Sequence, residues 1–147
     1  MLIVLEGCDG SGKTTIANNL KAILPDAEII HCTTETPNDF EFFHSLILAS
    51  RHRDIIADRF CYGQFVYQSP EERHLTPAEL VALEVEMLAA NAKVLHVTAP
   101  VCTIKKRLLY RGEETTLPVG DITYKYCELF EHTLIKPQLW WTGSDTD

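Results

Sequence analysis

The sequence has no long apolar run, few positive charges and no cysteine arrangement typical of a metal site. Its 147 residues contain 13 Lys and Arg against 21 Asp and Glu, which gives a net charge of −8. A protein that grips a nucleic-acid backbone needs a basic face, so nucleic acid is disfavoured as a partner and a small phosphorylated molecule is favoured. No apolar stretch approaches the ~20 residues of a membrane-spanning helix, and we expect no membrane association.

The five cysteines are odd in number and scattered, without a C-x-x-C pair or zinc-ligand spacing. Scattered thiols of this kind are usual in the reducing cytoplasm, where we expect the protein to reside. The hydrophobic and charged fractions, 46% and 23%, are those of an ordinary soluble globular protein. Because no repeat or linker divides the chain, we predict a single domain over residues 1–147.

A glycine-rich segment near the start carries the strongest chemical signal. Residues 7–15 read G-C-D-G-S-G-K-T-T and fit the pattern G-x-x-x-x-G-K-[ST]. An apolar run, Leu2–Leu5, precedes this segment as a buried strand would, and apolar residues at helical spacing follow it as far as Pro25. Strand, loop and helix in this order predict a phosphate-binding loop, in which Lys13 reaches the β- and γ-phosphates and the Thr14 hydroxyl binds Mg²⁺. The predicted cofactor-binding residues are Gly7, Cys8, Asp9, Gly10, Ser11, Gly12, Lys13, Thr14 and Thr15.

Strand-like and helix-like segments alternate along the rest of the chain. Alternation of this kind predicts a parallel sheet covered by helices on both faces, here a three-layer α/β fold with a five-stranded parallel sheet. A capping box, Thr76 to Glu79, marks the start of one helix. The later strand candidates are residues 27–31, 55–60, 92–99 and 139–142.

Polar side chains follow the third strand candidate. Asp58 and Arg59 come directly after an apolar run, at the edge where open α/β sheets bind ligands, and we favour a functional role over a solvated ion pair. Further on, Tyr67 and Gln68 have polar ends suited to a sugar or a base. The aromatic cluster that includes Phe43 fits either a stacking surface for a base or core packing, and the pattern does not separate the two.

A second group of positive charges lies on the helix that Pro100 opens. Arg107 and Arg111 are four residues apart and therefore share a face, which suits a phosphate clamp. Gly112 ends this helix, and the residues that follow predict a short mobile lid around residues 111–121.

These segments together resemble the thymidylate kinase family. Leu5–Thr15 resembles its E-G-x-D-G-x-G-K-T-T loop, Asp58–Gln68 its D-R-[YFH]-x-x-S-x-x-A-Y-Q segment, and Ala99–Glu113 its P-x-x-[AT]-x-x-R-…-R-G-E run. The match is collinear over nearly the whole chain, which looks like a shortened, phage-type member. Two departures concern the acceptor and the lid: Gly63 stands where the family has Ser, and no Arg follows Arg111.

The resemblance implies Mg²⁺-dependent phosphoryl transfer from ATP to a deoxynucleoside monophosphate, dTMP-like, giving the diphosphate. It places Asp58 with Thr14 at the metal ion, or makes Asp58 the residue that orients Arg59. The catalytic residues that it implies are Asp9, Lys13, Asp58, Arg59, Arg107 and Arg111. The substrate residues are Glu6, Asp9, Phe43, Arg59, Tyr67 and Gln68.

Three alternatives stay open at this point. In a deoxynucleoside kinase, Glu6 would act as the base on a 5′-hydroxyl group. A kinase acting on a modified base or a terminus in DNA is a second alternative, and a nucleotide-binding module without turnover is a third. The resemblance also implies a homodimer.

Overall fold

The computed structural model describes residues 1–143, and Ser144–Asp147, the end of the predicted domain, lie outside the described residues. Strands and helices alternate through the described part. In chain order they are β1 Leu2–Glu6, α1 Lys13–Ile23, β2 Glu28–His31, α2 Phe40–Ala49, β3 Ile55–Asp58, α3 Gln64–Tyr67, α4 Pro77–Ala89, β4 Lys93–Thr98, α5 Val101–Arg111, α6 Val119–His132 and β5 Gln138–Trp141.

The five strands form one parallel sheet in the order β2-β3-β1-β4-β5. The central strand, β1, lies between β3 and β4, so the phosphate loop that follows β1 emerges at the middle of the sheet. In the register, Leu5 lies beside Asp58 on one side and Glu6 beside His96 on the other. The carboxyl ends of the strands therefore bring the polar residues of separate segments to one edge.

Alternate residues of β1 pack into separate cores on the two faces of the sheet. Ile3 and Leu5 pack with Ile16 of α1 on one face, whereas Leu2 and Val4 join the larger core that α2 to α6 help to build on the other. Leu2, Val4 and Leu5 are all fully buried. The predicted α/β class, with a five-stranded parallel sheet and helices on both faces, is confirmed.

Helix ends follow the sequence signals closely, with two differences. Thr76 and Glu79 form the predicted capping box, with bonds of 2.9 and 3.1 Å between each side chain and the other residue's backbone N–H. The last helix begins at Val119, directly after Pro118 at its N-cap, so the final three residues of the predicted lid, 119–121, belong to α6. The single turn of α3 was not predicted.

The cysteines are divided between the core and the surface, where Cys102 and Cys127 are exposed. All five cysteines are free, and Cys8, Cys32 and Cys61 are buried. Burial raises the pKa of the Cys8 thiol to about 11 and that of Cys32 to about 12, so neither is a reactive thiolate near neutral pH. Within residues 1–143, no helix combines the length and apolarity needed to cross a membrane.

Candidate nucleotide-binding site

The glycine-rich loop joins β1 to α1 in a conformation that only small residues allow. Gly7 has φ +155°, and a Cβ there would overlap the Val97 carbonyl group of β4. Gly12 has φ +106°, and a Cβ there would lie 3.2 Å from the Thr142 side chain. Both glycines therefore hold the loop close to neighbouring chain segments, and α1 begins immediately after it at Lys13.

Lys13 folds back over this loop. Its Nζ donates to the carbonyl oxygens of Gly7 at 2.8 Å and Cys8 at 3.0 Å, and the residue is only 6% exposed. Burial lowers the pKa of Lys13, and the nearby positive charge of Arg59 lowers it further. An anionic phosphate in the loop would act in the opposite direction, so Lys13 is placed to be stabilised as a cation by a nucleotide.

Thr14, Asp58 and His31 converge beside the loop. The Thr14 hydroxyl donates to Asp58 Oδ2 at 3.4 Å, and His31 Nδ1 lies 3.2 Å from the same oxygen. His31 belongs to this group because the register of β2 with β3 places it, at the end of β2, directly beside Asp58. Sequence reasoning missed His31, although its place at the end of a strand was a signal.

The Thr14–Asp58 pair fits Mg²⁺. Hydroxyl and carboxylate oxygens are the ligands this ion prefers, and Mg²⁺ at nucleotides commonly takes only one or two protein ligands and fills the rest with phosphate oxygens and water. In the described part of the chain no group of three or more His, Cys, Asp or Glu side chains is arranged to hold a metal ion.

Arg59 lies at the carboxyl end of β3, in the left-handed backbone region with φ +66°. Its Nη2 pairs with Asp9 Oδ1 at 2.5 Å, and its guanidinium group lies 4.8 Å from the centre of the Tyr67 ring. Burial acts to lower the pKa of Arg59, but Tyr67 and Asp9 outweigh it and the pKa is raised. The guanidinium therefore stays charged, with one face on an aromatic ring and one edge on a carboxylate.

A first cavity, of about 370 Å³, opens beside Arg59. Asp9, Tyr67 and Gln68 line it, as do Glu114 and other residues of the segment between α5 and α6. Gln68 Oε1 is buried and has no hydrogen-bond partner within residues 1–143. Three of the predicted substrate residues thus share one wall with Arg59.

The remaining two predicted substrate residues, Phe43 and Glu6, lie elsewhere. Phe43 is fully buried, and its ring packs edge-on against Phe60 at a centroid distance of 4.8 Å. Neither Phe43 nor Glu6 is among the described residues that line the first cavity. Phe43 therefore belongs to the core, because helical spacing turns it inward, and its prediction as a substrate residue is corrected accordingly.

Glu6 is also fully buried. Burial raises the pKa of its carboxyl group, while hydrogen bonds from Phe60 and Tyr126 act to lower it. One oxygen, Oε2, accepts from the backbone N–H groups of Phe60 at 3.0 Å and Tyr62 at 3.2 Å, and Oε1 accepts from the Tyr126 hydroxyl at 3.1 Å. Within the described chain, this carboxyl group is bonded to protein groups rather than open to a ligand.

A second cavity, of about 720 Å³, is lined by the phosphate loop and the start of α1. Lys13, Thr14 and Asp58 line it together with both predicted clamp residues, Arg107 and Arg111. The two arginines thus face one space, as their spacing predicted. Asp9 lines this cavity as well as the first, so the two spaces meet at its side chain.

Arg107 is held in place by contacts that the sequence did not reveal. Its Nη1 donates to the Gly10 carbonyl and to the Thr142 hydroxyl, both at 3.1 Å. Trp140 and Trp141 of β5 also line the second cavity. Sequence reasoning missed Thr142 and both tryptophans, since an edge strand of exposed residues carries no recognised motif.

The sheet order, the phosphate loop and the two cavities that meet beside it define a P-loop nucleotide kinase-like fold. Two structures of deoxyadenosine kinase from M. mycoides share this fold. The one with dCMP and a flexible dCDP bound matches with a TM-score of 0.56 and 15% identity, over 100% of this chain and 92% of that chain. The one with dATP bound gives a TM-score of 0.55 and 16% identity, over 100% and 93%. At this identity the likeness shows the fold alone.

The particular family follows from a nearer relative. The chain belongs to the family of YorR, an SPβ prophage-derived protein of Bacillus subtilis (strain 168), to which it is 31% identical over 151 residues, 97% of this chain and 89% of YorR. The crystal structure of YorR in complex with phosphorylated GDP matches with a TM-score of 0.81 and 32% identity, over 98% of this chain and 87% of that chain. No protein-family model matches the chain.

Proposed function

We propose that the protein transfers the γ-phosphoryl group of ATP to a deoxynucleoside monophosphate, dTMP-like, and releases ADP and the deoxynucleoside diphosphate. One observation carries this proposal. The cavity that contains the phosphate loop and the cavity that contains Arg59 meet at Asp9, so a donor and an anionic acceptor would have their phosphates side by side.

Positioning and charge neutralisation account for the chemistry, because phosphoryl transfer requires little covalent help from the protein. Lys13 would leave the two loop carbonyls and bind the β- and γ-phosphates with the loop amides. Thr14 and Asp58 would hold Mg²⁺, which neutralises charge on the donor phosphates when bound. Arg107 and Arg111 face the same space and would stabilise charge on the group in transfer.

On the acceptor side, Arg59 would exchange its carboxylate partner for the acceptor's phosphate. Asp9 would then orient the acceptor, and Tyr67 and Gln68 would contact its sugar and base. An oxygen of the acceptor phosphate attacks the γ-phosphorus, the bond from that phosphorus to the β–γ bridging oxygen breaks, and ADP leaves with the bridging oxygen. Closure of residues 112–118, the part of the predicted lid that lies between α5 and α6, over the acceptor would exclude water.

The base that is accepted is left to experiment. YorR was crystallised with a guanine nucleotide, and one deoxyadenosine kinase structure holds dCMP and dCDP. We propose dTMP first because of the sequence resemblance, and the test includes all four bases. The homodimer stays a proposal that sedimentation of the purified protein tests.

The runner-up is a deoxynucleoside kinase, which the kinases of the same fold favour. It needs a base for the 5′-hydroxyl group of the nucleoside, and Glu6 was the candidate. Burial of Glu6 and its bonds to Phe60, Tyr62 and Tyr126 argue against that role. The monophosphate acceptor, whose phosphate Arg59 can bind, is therefore preferred.

The test is a coupled ADP-release assay with Mg·ATP against the four common deoxynucleosides and their monophosphates, with products identified by chromatography. Lys13→Ala is the inactive control, and Lys105→Ala, an exposed lysine on α5, controls for the loss of one positive charge. Formation of a diphosphate from one or more monophosphates, absent only in Lys13→Ala, supports the proposal. Turnover with nucleosides alone would replace it with the runner-up. ATP binding without turnover of any acceptor would favour a nucleotide-binding module.

A further inference from the structure

Glu6 extends the inward-facing row of β1. Leu2 and Val4 point into the larger core, and the period of two along a strand puts the side chain of residue 6 on the same face. The carboxylate thus enters the core at the carboxyl edge of the sheet, where the chain leaves β3. What it meets there is backbone: the N–H groups of Phe60 and Tyr62, at 3.0 and 3.2 Å from Oε2.

These two amides lie in the short segment that joins β3 to α3 and begins with Arg59. A non-glycine residue in the left-handed region is strained and persists only where its surroundings impose it. Here the end of β1 imposes it. The Arg59 N–H donates to the Leu5 carbonyl at 2.8 Å, and the amides of the following residues donate to the side chain of Glu6.

The other carboxylate oxygen reaches a different element. Oε1 accepts from the hydroxyl group of Tyr126, a fully buried residue of α6. The Tyr126 ring also meets Tyr67 edge-on at 6.2 Å, and Tyr67 lies under the Arg59 guanidinium. Glu6 therefore links two parts of the fold. One is the turn that directs Arg59, and the other is α6, the helix that follows residues 112–118.

We infer that Glu6 is the positioning residue of the acceptor site: its carboxylate fixes the backbone of the Arg59–Tyr62 turn and so aims Arg59 into the first cavity. The inference rests on the proposed function in one respect, that Arg59 binds the acceptor's phosphate. Glu6 itself acts through hydrogen bonds to the backbone and needs neither contact with the substrate nor transfer of a proton.

Two substitutions of Glu6 separate the effect of its side-chain length from the effect of its basicity. Glu6→Gln keeps the length and one carbonyl oxygen for both amides, and its NH₂ group can donate to Tyr126, but it cannot act as a base. Glu6→Asp keeps the basic carboxylate and withdraws it by about 1.5 Å, one carbon–carbon bond, from the two amides.

Glu84 provides the matched control. It is 1% exposed and likewise accepts three bonds, from the Tyr62 hydroxyl and from the backbone N–H groups of Leu134 and Ile135. Glu84→Asp therefore perturbs a buried carboxylate of the same kind, which meets the turn only through the Tyr62 side chain and accepts no bond from the Phe60 or Tyr62 amide.

The first measurement is steady-state kinetics with Mg·ATP and the monophosphate that the wild type turns over. We expect Glu6→Gln to keep kcat within roughly threefold, whereas Glu6→Asp raises the KM of the acceptor roughly tenfold or more and leaves the KM of ATP nearly unchanged. Glu84→Asp should leave both KM values unchanged. A fall in kcat of ~10²–10⁴-fold in Glu6→Gln, with KM unchanged, would make Glu6 a base and overturn the inference.

The second measurement, amide hydrogen exchange resolved at Phe60 and Tyr62, needs no turnover. Both amides should be protected in the wild type, Glu6→Gln and Glu84→Asp, and should exchange roughly tenfold faster in Glu6→Asp. Unchanged exchange in Glu6→Asp would overturn the inference even if the protein turned over none of the acceptors. Failure of the inference and failure of the proposed function can therefore be told apart. If Glu6→Asp does not fold, exchange is measured in Glu6→Met, which keeps the length of the side chain and removes both oxygen acceptors; unchanged protection of the two amides in that variant overturns the inference.

Discussion

Replacement of Thr142 by valine should loosen the donor side of the site. The residue follows β5, and its hydroxyl group donates to the Ser11 carbonyl of the phosphate loop and accepts from Arg107 Nη1 at 3.1 Å. Valine keeps the branched shape and the backbone bond to the Thr98 carbonyl, at 2.8 Å, and removes only the hydroxyl. The substitution therefore isolates what that one group contributes.

The magnitude follows from the two bonds. A hydrogen bond from a charged donor contributes about 1.5–3 kcal/mol when buried, and the low end applies because Arg107 is only partly buried. The Ser11 carbonyl belongs to a fully buried residue, and an acceptor left without a partner there adds to the loss. We expect the free energy of unfolding to fall by about 2 kcal/mol, and thus Tm by about 4–8 °C for a chain of this size.

The effect on activity should be confined to the donor. The loop amides and Arg107 lose a common support, so we expect the KM of ATP to rise roughly tenfold, equivalent to about 1.4 kcal/mol, while the KM of the acceptor changes little. Differential scanning calorimetry and coupled kinetics measure the two effects. Thr142→Ser is the control and should behave as the wild type. Wild-type Tm and ATP KM in Thr142→Val would refute this account of the residue.

Three further predictions concern other parts of the fold. Lys13→Ala should reduce turnover by on the order of a hundredfold or more in the coupled assay with the fold intact by circular dichroism, and activity close to wild type would remove Lys13 from the mechanism. Phe43→Ala should lower the free energy of unfolding by about 3–5 kcal/mol in urea, with an unchanged acceptor KM in the folded protein; a selective rise in that KM would return Phe43 to the site. The stability difference between Glu6→Gln and the wild type should depend on pH. Because burial raises the pKa of Glu6 above 4.5, the stability that its neutral form provides is complete below that value and is lost as pH rises through the folded-state pKa. Urea unfolding at pH 5 and pH 8 should therefore show the difference shifting in favour of the glutamine variant at the higher pH, and a constant difference would contradict the raised pKa.

The fold and one half of the site could be predicted from the sequence because their signals are local. The phosphate loop needs its glycines, Lys13 and Thr14 at fixed spacing, and the apolar run before Asp58 and Arg59 marks a strand end. Parallel topology then carries these residues to the same edge. Arg107 and Arg111 face one cavity because four residues make one helical turn.

The rest of the candidate site depends on which distant segments of the chain become neighbours in the fold. His31 meets Asp58 only through the register of β2 with β3, and Thr142 reaches the phosphate loop only because β5 pairs with β4. No local sequence pattern predicts either strand pairing. Phe43 shows the opposite difficulty: helical spacing fixes its face, but an aromatic residue fits a core and a base pocket equally well until the opposite surface is known.

Trp140 and Trp141 give the protein a built-in optical reporter. They are the only two tryptophans of the sequence, they are 44% and 56% exposed, and both line the donor cavity. The emission of an indole ring changes when a ligand displaces the water around it. Titration with ATP should therefore change the intrinsic fluorescence of the unlabelled wild-type protein, whereas an acceptor bound alone in the other cavity should leave it largely unaltered. The two binding events can thus be followed separately without a dye.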